Sequence, residues 1–203
     1  VRRIGIRELL DSPAEIEALS RTLRDGGVAA IPTETFYGLA ADPASRAGVE
    51  RVLAIKRREA GKPLLVLFAE RRQLSALGIS ARPEVLDRFF AVWPAALTVV
   101  LPLAAAIPAS RGARSLAVRM PAHAELRELL TRVGPLTGTS LNRAGETPCA
   151  DADEVAPLLE DEVDALVDGG RTPGGLASTL LDATREPPVV LRPGAFPWPP
   201  DHP

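Results

Sequence analysis

Short apolar runs recur along this chain, each bounded by glycine, proline or small polar residues and separated by stretches in which apolar residues return every three or four positions. A run of four to seven apolar residues is too short to be a buried helix, whereas the longer periodic stretches suit helices with one buried face. That alternation confines the chain to the α/β class, with helices layered on a sheet. Helices are expected at 13–25, 46–57, 70–77, 82–91, 122–132 and 151–159, and strands at 28–31, 64–68, 97–103, 115–120, 135–137, 163–167, 177–182 and 189–191. The first helix carries its own punctuation: Ser12 as N-cap, Pro13 at the first turn, Ile16, Leu19 and Leu23 on one face, and Gly26-Gly27 as the stop. Several polar motifs fall at strand ends, where open α/β sheets gather their ligand-binding loops.

With 203 residues, 46% of them hydrophobic, the chain can bury a core of ordinary size. One domain over residues 1–196 is expected, with the proline-rich 197–203 (PWPPDHP) as an unstructured tail. A lone Cys149 leaves no internal disulfide, and no apolar run approaches the length of a membrane span. No secretory apolar segment opens the sequence, so a cytoplasmic protein without membrane contact is expected. The net charge of −2 provides no overall attraction to nucleic acid, and any such contact must be local.

The chemistry concentrates where rare residues sit. Arginine supplies nearly every cation, yet the two lysines, Lys56 and Lys62, fall within one short stretch that also holds Arg58. The single tyrosine, Tyr37, lies in Pro32-Thr33-Glu34-Thr35-Phe36-Tyr37-Gly38-Leu39, and the single asparagine, Asn142, in Thr139-Ser140-Leu141-Asn142. An ammonium is a compact point charge for phosphate or carboxylate, so the lysine stretch reads as an anion site. Read alone, it would equally be a solvated helix end. No G-x-x-x-x-G-K-[ST] loop and no G-x-G-x-x-G turn occurs. His123 and His202 are the only histidines, too few for a histidine-rich metal site, and Cys149 reads as packing. The remaining inventory is hydroxyls and cations: Thr33, Thr35, Lys56, Arg58, Lys62, Arg119, Thr139, Ser140, Asn142, Ser178, Thr179 and Arg192. Such groups position phosphates without supplying a nucleophile, which suits a transfer in which a substrate carboxylate attacks. Removal of Lys56 or Arg58 is then expected to cost little stability, as for cations at an exposed turn.

In sequence order, PTETFYGL, the K-x-R of Lys56 and Arg58 followed by K-P-L, W-P-A-A-L-T at 93–98, S-L-A-V-R-M-P-A-H at 115–123, T-S-L-N-x-x-G, S-T-L-L-D-A-T and L-R-P-G resemble the YrdC/Sua5 family from about Leu19 to Gly194. The resemblance implies a YrdC-like twisted mixed sheet with flanking helices and a concave basic surface. It implies a short, single-domain threonylcarbamoyl-AMP synthase, a nucleotidyltransferase that makes threonylcarbamoyl-adenylate and pyrophosphate from L-threonine, bicarbonate and ATP. It further implies magnesium with the ATP, a TsaD-type threonylcarbamoyl-transferase complex as partner, and contact with tRNA, whose adenosine 37 receives the group. Carried over by motif, Thr33, Tyr37, Lys62, Arg119 and Ser178 would bind L-threonine. Lys56, Arg58, Thr139, Ser140, Asn142 and Arg192 would bind ATP. No residue is implied as a metal ligand or nucleophile.

Leu141 stands where the family's loop usually has alanine, Ala144 where it has serine, and Glu59 where proline is common. If the 140–142 stretch is extended, alternation puts Leu141 on the face opposite Ser140 and Asn142, directed into the core. Two other readings compete: an RNA-binding module of the same fold that binds double-stranded RNA through these cations without adenylation, and a relative forming a different carbamoyl-adenylate. The hydroxyl sets at Thr33 and at Ser140 to Asn142 favour the enzyme, since backbone binding alone needs no small-molecule pocket.

Overall fold

The computed structural model of the chain describes residues 1–57, 61–142, 148–159 and 162–199. Its elements are β1 (Arg2–Gly5), α1 (Ile6–Asp11), α2 (Pro13–Arg24), β2 (Ala29–Ile31), β3 (Gly38–Ala40), α3 (Arg46–Lys56), β4 (Val66–Leu67), α4 (Arg71–Ala76) and α5 (Pro83–Phe90). There follow β5 (Leu97–Pro102), β6 (Ser115–Arg119), α6 (Ala124–Val133), β7 (Leu136–Thr137), β8 (Thr139–Ser140), α7 (Ala152–Leu159), β9 (Ala165–Asp168), β10 (Thr179–Asp182) and β11 (Val189–Arg192). The expected mixed α/β architecture is present, with the strands shared between two sheets. One runs β1-β9-β2-β3-β8 and the other β11-β10-β5-β6-β4-β7. Both are mixed: β1, β9 and β2 are parallel, β3 opposes β2 and β8 opposes β3, and β10 runs parallel to β5 while β6 opposes it.

Local chemistry sets the helix ends. The Ser12 hydroxyl accepts from the Glu15 amide at 3.4 Å to start α2, and Gly26, at φ +89°, takes the left-handed turn that ends it. At the other end of α3, Arg57 adopts a left-handed φ of 48°, so Lys56 is the last helical residue.

Alternation along the strands divides the core into two layers. Val28 and Ala30 face one apolar cluster with Leu39, Val66, Phe68, Leu97, Val99, Leu116, Val118 and the inner faces of α3 and α5. Ala29 and Ile31 face the other, with Leu9, Leu19, Leu23, Leu126, Leu129 and Leu130 from α1, α2 and α6. An element pair unforeseen from the sequence, β1 and α1, completes this second layer. The expected tail does not begin at 197, because the Trp198 ring packs 5.8 Å from Phe89 against the first cluster.

The two sheets are joined by consecutive strands. β7 pairs with β4 of one sheet and β8 with β3 of the other, with Gly138 alone between them. The Gly138 amide donates to the Leu65 carbonyl at 2.9 Å, and a Cβ there would stand 2.4 Å from Leu67 Cγ, so any side chain would displace the buried Leu67 side chain. Beside it the Thr137 hydroxyl accepts from the Ala41 amide at 2.9 Å and donates to the Leu39 carbonyl at 3.2 Å. Among the described residues no helix is long and apolar enough to cross a membrane.

Candidate functional site

A cavity of about 340 Å³ opens at this crossing between the sheets. One wall is a single face of the larger sheet. Thr98 on β5, Leu180 on β10 and Arg192 on β11 are register neighbours across three strands, and Ala117 and Arg119 on β6 share their face. Period-two alternation sends Leu97, Val99, Leu116, Val118 and Leu181 to the core from the other face, which is why a polar row can stand here. The facing wall comes from the 33–38 turn, Lys56 at the end of α3, and Gly138, Thr139 and Ser140.

The turn is built around one hydroxyl. Thr33 Oγ1 donates to the Phe36 carbonyl at 2.7 Å and accepts from the amides of Thr35 at 3.1 Å and Phe36 at 3.3 Å. A hydroxyl has one proton to donate, so Thr33 is committed to the turn, and Thr35 Oγ1, 3.1 Å away, is the hydroxyl better placed to meet a ligand. Tyr37 is wholly buried. Its hydroxyl donates to the Gly170 carbonyl at 2.7 Å and accepts from the Gly169 amide at 3.0 Å, tying the turn to the end of β9. Burial foremost, with the charge of Asp168, pushes this phenol up to about 12, so it stays protonated at neutral pH.

Lys56 is buried, contrary to the picture of an exposed cation at a turn. Its ammonium donates to the Asn142 side-chain carbonyl at 3.0 Å, the Asn142 backbone carbonyl at 3.1 Å and the Ser140 backbone carbonyl. Ser140 Oγ donates in turn to Asn142 Oδ1 at 2.8 Å. The end of α3 and the 140–142 loop are therefore one hydrogen-bonded unit, and the expectation that Lys56 could be removed at little cost to stability is corrected. Leu141 between them is 1% exposed and packed in the core, as alternation predicts. On the opposite wall Thr98 Oγ1 and Ser178 Oγ lie 2.8 Å apart, both buried, and an Arg192 terminal nitrogen donates to the Ser178 carbonyl at 2.9 Å.

Arg119 is the most enclosed charge of the site, with 4% of its side chain exposed. Burial pulls its pKa below the usual arginine value, Glu34 opposes that fall and Arg192 adds to it. Glu34 Oε1 lies 3.6 Å from Arg119 Nε, beyond hydrogen-bonding distance.

Of the residues expected from sequence, Thr33, Tyr37, Lys56, Arg119, Thr139, Ser140, Ser178 and Arg192 line this one cavity. Asn142 stands behind Ser140 in the Lys56 unit, and Lys62 is exposed beside the lining Pro63. Arg58 lies outside the described residues, as do Glu59 and Ala144. Thr98 was missed. The only signal for it was a hydroxyl opening an otherwise apolar strand, within the W-P-A-A-L-T motif.

The profile of the Sua5_yciO_yrdC family, described as "Telomere recombination", matches residues 21–194. The chain belongs to this family. Within it, the chain is 37% identical to the threonylcarbamoyl-AMP synthase of Pyrococcus abyssi, matching over 96% of its own length and 58% of that protein. It is 33% identical to the threonylcarbamoyl-AMP synthase of Vibrio vulnificus over 89% of its length, and there it spans 99% of the relative. Among solved structures, the crystal structure of P. abyssi Sua5 complexed with L-threonine superposes with a TM-score of 0.83 at 33% identity, over 97% of this chain and 57% of that one. The chain thus spans little more than half of the Pyrococcus protein and nearly all of the Vibrio one.

Proposed function

We propose that this chain is a threonylcarbamoyl-AMP synthase. The threonine amine combines with bicarbonate to give a carbamate and water. A carbamate oxygen then attacks the α-phosphorus of ATP, and pyrophosphate leaves with its bonding electrons. The observation that carries the reading is the cavity itself, which gathers hydroxyls and cations from segments as distant in sequence as Thr33, Arg119, Ser140 and Ser178. Its relatives named for that activity support it, as does the likeness to a family structure holding L-threonine.

Within this reading the protein contributes orientation and charge neutralisation. Arg119, Thr35 and the Thr98–Ser178 hydroxyl pair receive the amino acid, with Lys62 at the rim. Thr33 and Tyr37 hold the turn that presents Thr35. Thr139, Ser140, Arg192 and Arg58 receive ATP, while Lys56 and Asn142 fix the loop around it. The described residues hold no cluster of three or more metal-ligating side chains. Magnesium would accordingly arrive on the triphosphate, whose oxygens are its ligands. The adenylate is an activated acyl group, and we assign its use to a TsaD-type transferase complex acting on tRNA in the cytoplasm. Pyrophosphate release tests the proposal: it should require L-threonine and bicarbonate together. Release independent of threonine would overturn it.

A further inference from the structure

The Glu34 carboxylate has no place in the ligand contacts assigned above, yet both its oxygens are enclosed and lack a hydrogen-bond partner. Arg119 Nε, the atom nearest to it, is likewise enclosed and unpartnered. Buried charges without hydrogen bonds are costly, so an ion pair left open by 3.6 Å calls for an explanation. Glu34 belongs to the turn fixed by Thr33 Oγ1, so its position is set by the same hydrogen bonds that present Thr35 to the cavity. Because the carboxylate addresses Nε, the two terminal NH2 groups of Arg119 are left to meet a ligand carboxylate as a planar fork.

We propose that Glu34 is a positioning residue, holding the Arg119 guanidinium edge-on so that its fork receives the carboxylate of the amino-acid substrate. This inference builds on the threonine reading of the site. Charge alone argues the opposite sign, because a carboxylate 3.6 Å from Arg119 opposes the approach of a second one. A neutral glutamine at 34 should therefore tighten anion binding if Glu34 acts only through its field, and weaken it if Glu34 acts by orientation. Arg192 and His123 are the other titratable groups coupled to this pair, through Arg119 and Glu34 respectively.

The test is calorimetric titration of L-threonine into the full chain and into E34Q, E34D, R119K and the two double variants with R119K, with folding of each checked by thermal melt. Glu34→Gln is expected to weaken threonine binding about five-fold or more, and by less than about two-fold in the R119K background, since residues acting through one another are non-additive. Glu34→Asp, which retains the charge on a shorter stem, should fall between wild type and E34Q. Unchanged or tighter binding by E34Q, or the full loss in both backgrounds, would overturn the proposal. If E34Q does not fold, the E34D cycle reads the same coupling. Wild-type chain that binds no threonine removes the functional reading and this inference with it. Wild-type binding with an additive cycle removes Glu34 alone.

Discussion

Leu141 is the sharpest departure from the family's loop, and its replacement by alanine tests how that loop is built. The side chain is 1% exposed and packed in the larger apolar cluster, while its neighbours Thr139 and Ser140 line the cavity. Its backbone is held independently, by the Leu141 amide on the Tyr37 carbonyl at 2.8 Å and the Cys149 amide on the Leu141 carbonyl at 3.1 Å. Truncation should therefore leave the loop in place and open a void beneath it. A buried leucine cut to alanine costs about 2 to 5 kcal/mol, depending on how far the surroundings relax. At about 2 to 4 °C per kcal/mol for a chain of this size, the melting temperature should fall by about 4 to 20 °C. ATP affinity should change by less than about three-fold, because no cavity surface is altered. Differential scanning calorimetry and ATP titration on this one variant suffice. Tighter ATP binding with an unmoved melt would refute the argument, since it would mean that the side chain had been crowding the nucleotide.

Lys56→Met keeps the buried stem but strips the donor from Asn142 and Ser140, and should destabilise the chain by about 1 to 3 kcal/mol while pyrophosphate release falls; an unmoved melting temperature would mean that the ammonium does not hold the loop. His123 accepts the Leu126 amide on Nδ1 at 3.2 Å as the N-cap of α6, and burial holds its pKa below the ordinary imidazole value of 6.5. The unfolded chain thus takes up this proton first, so the stability it contributes is present above pH 6.5 and is lost as pH falls toward the lower folded pKa. Melting temperature should drop between pH 7 and 5, and His123→Asn, which can still cap the helix, should flatten that slope; equal slopes would count against it. L-Threonine should be preferred to L-serine by about 1 to 3 kcal/mol for the methyl, and to L-valine by more, because valine leaves hydroxyl partners unpaired. Equal pyrophosphate release with all three would count against a threonine pocket.

The sequence displayed the layers and the site motifs because those signals are local. Ser12-Pro13 and Gly26-Gly27 bracket α2 whatever lies around them, and apolar alternation in 97–103 marks a strand with one buried face. Pairing is not local. β7 and β8 are two residues each and pair with β4 and β3, far earlier in the chain, so the division into two sheets was invisible. The same limit explains the site. Motif order brought Thr33, Arg119, Ser140 and Ser178 to notice, but the turn absorbing the Thr33 hydroxyl and the carbonyls around Lys56 arise only from tertiary contact. Lys56 looked like a surface cation because its neighbours are Arg57 and Arg58. Its burial comes from a loop more than eighty residues away.

The position of β9 between β1 and β2 bears on how the protein is made. β1 has no pairing of its own with β2; both find their hydrogen bonds on a strand that ends at Asp168. During synthesis from the amino terminus, the first sheet stays divided until β9 has emerged, with β1 and β2 each exposing an unpaired edge until then. Emergence of β9, rather than contact between β1 and β2 themselves, is the event that closes this half of the molecule.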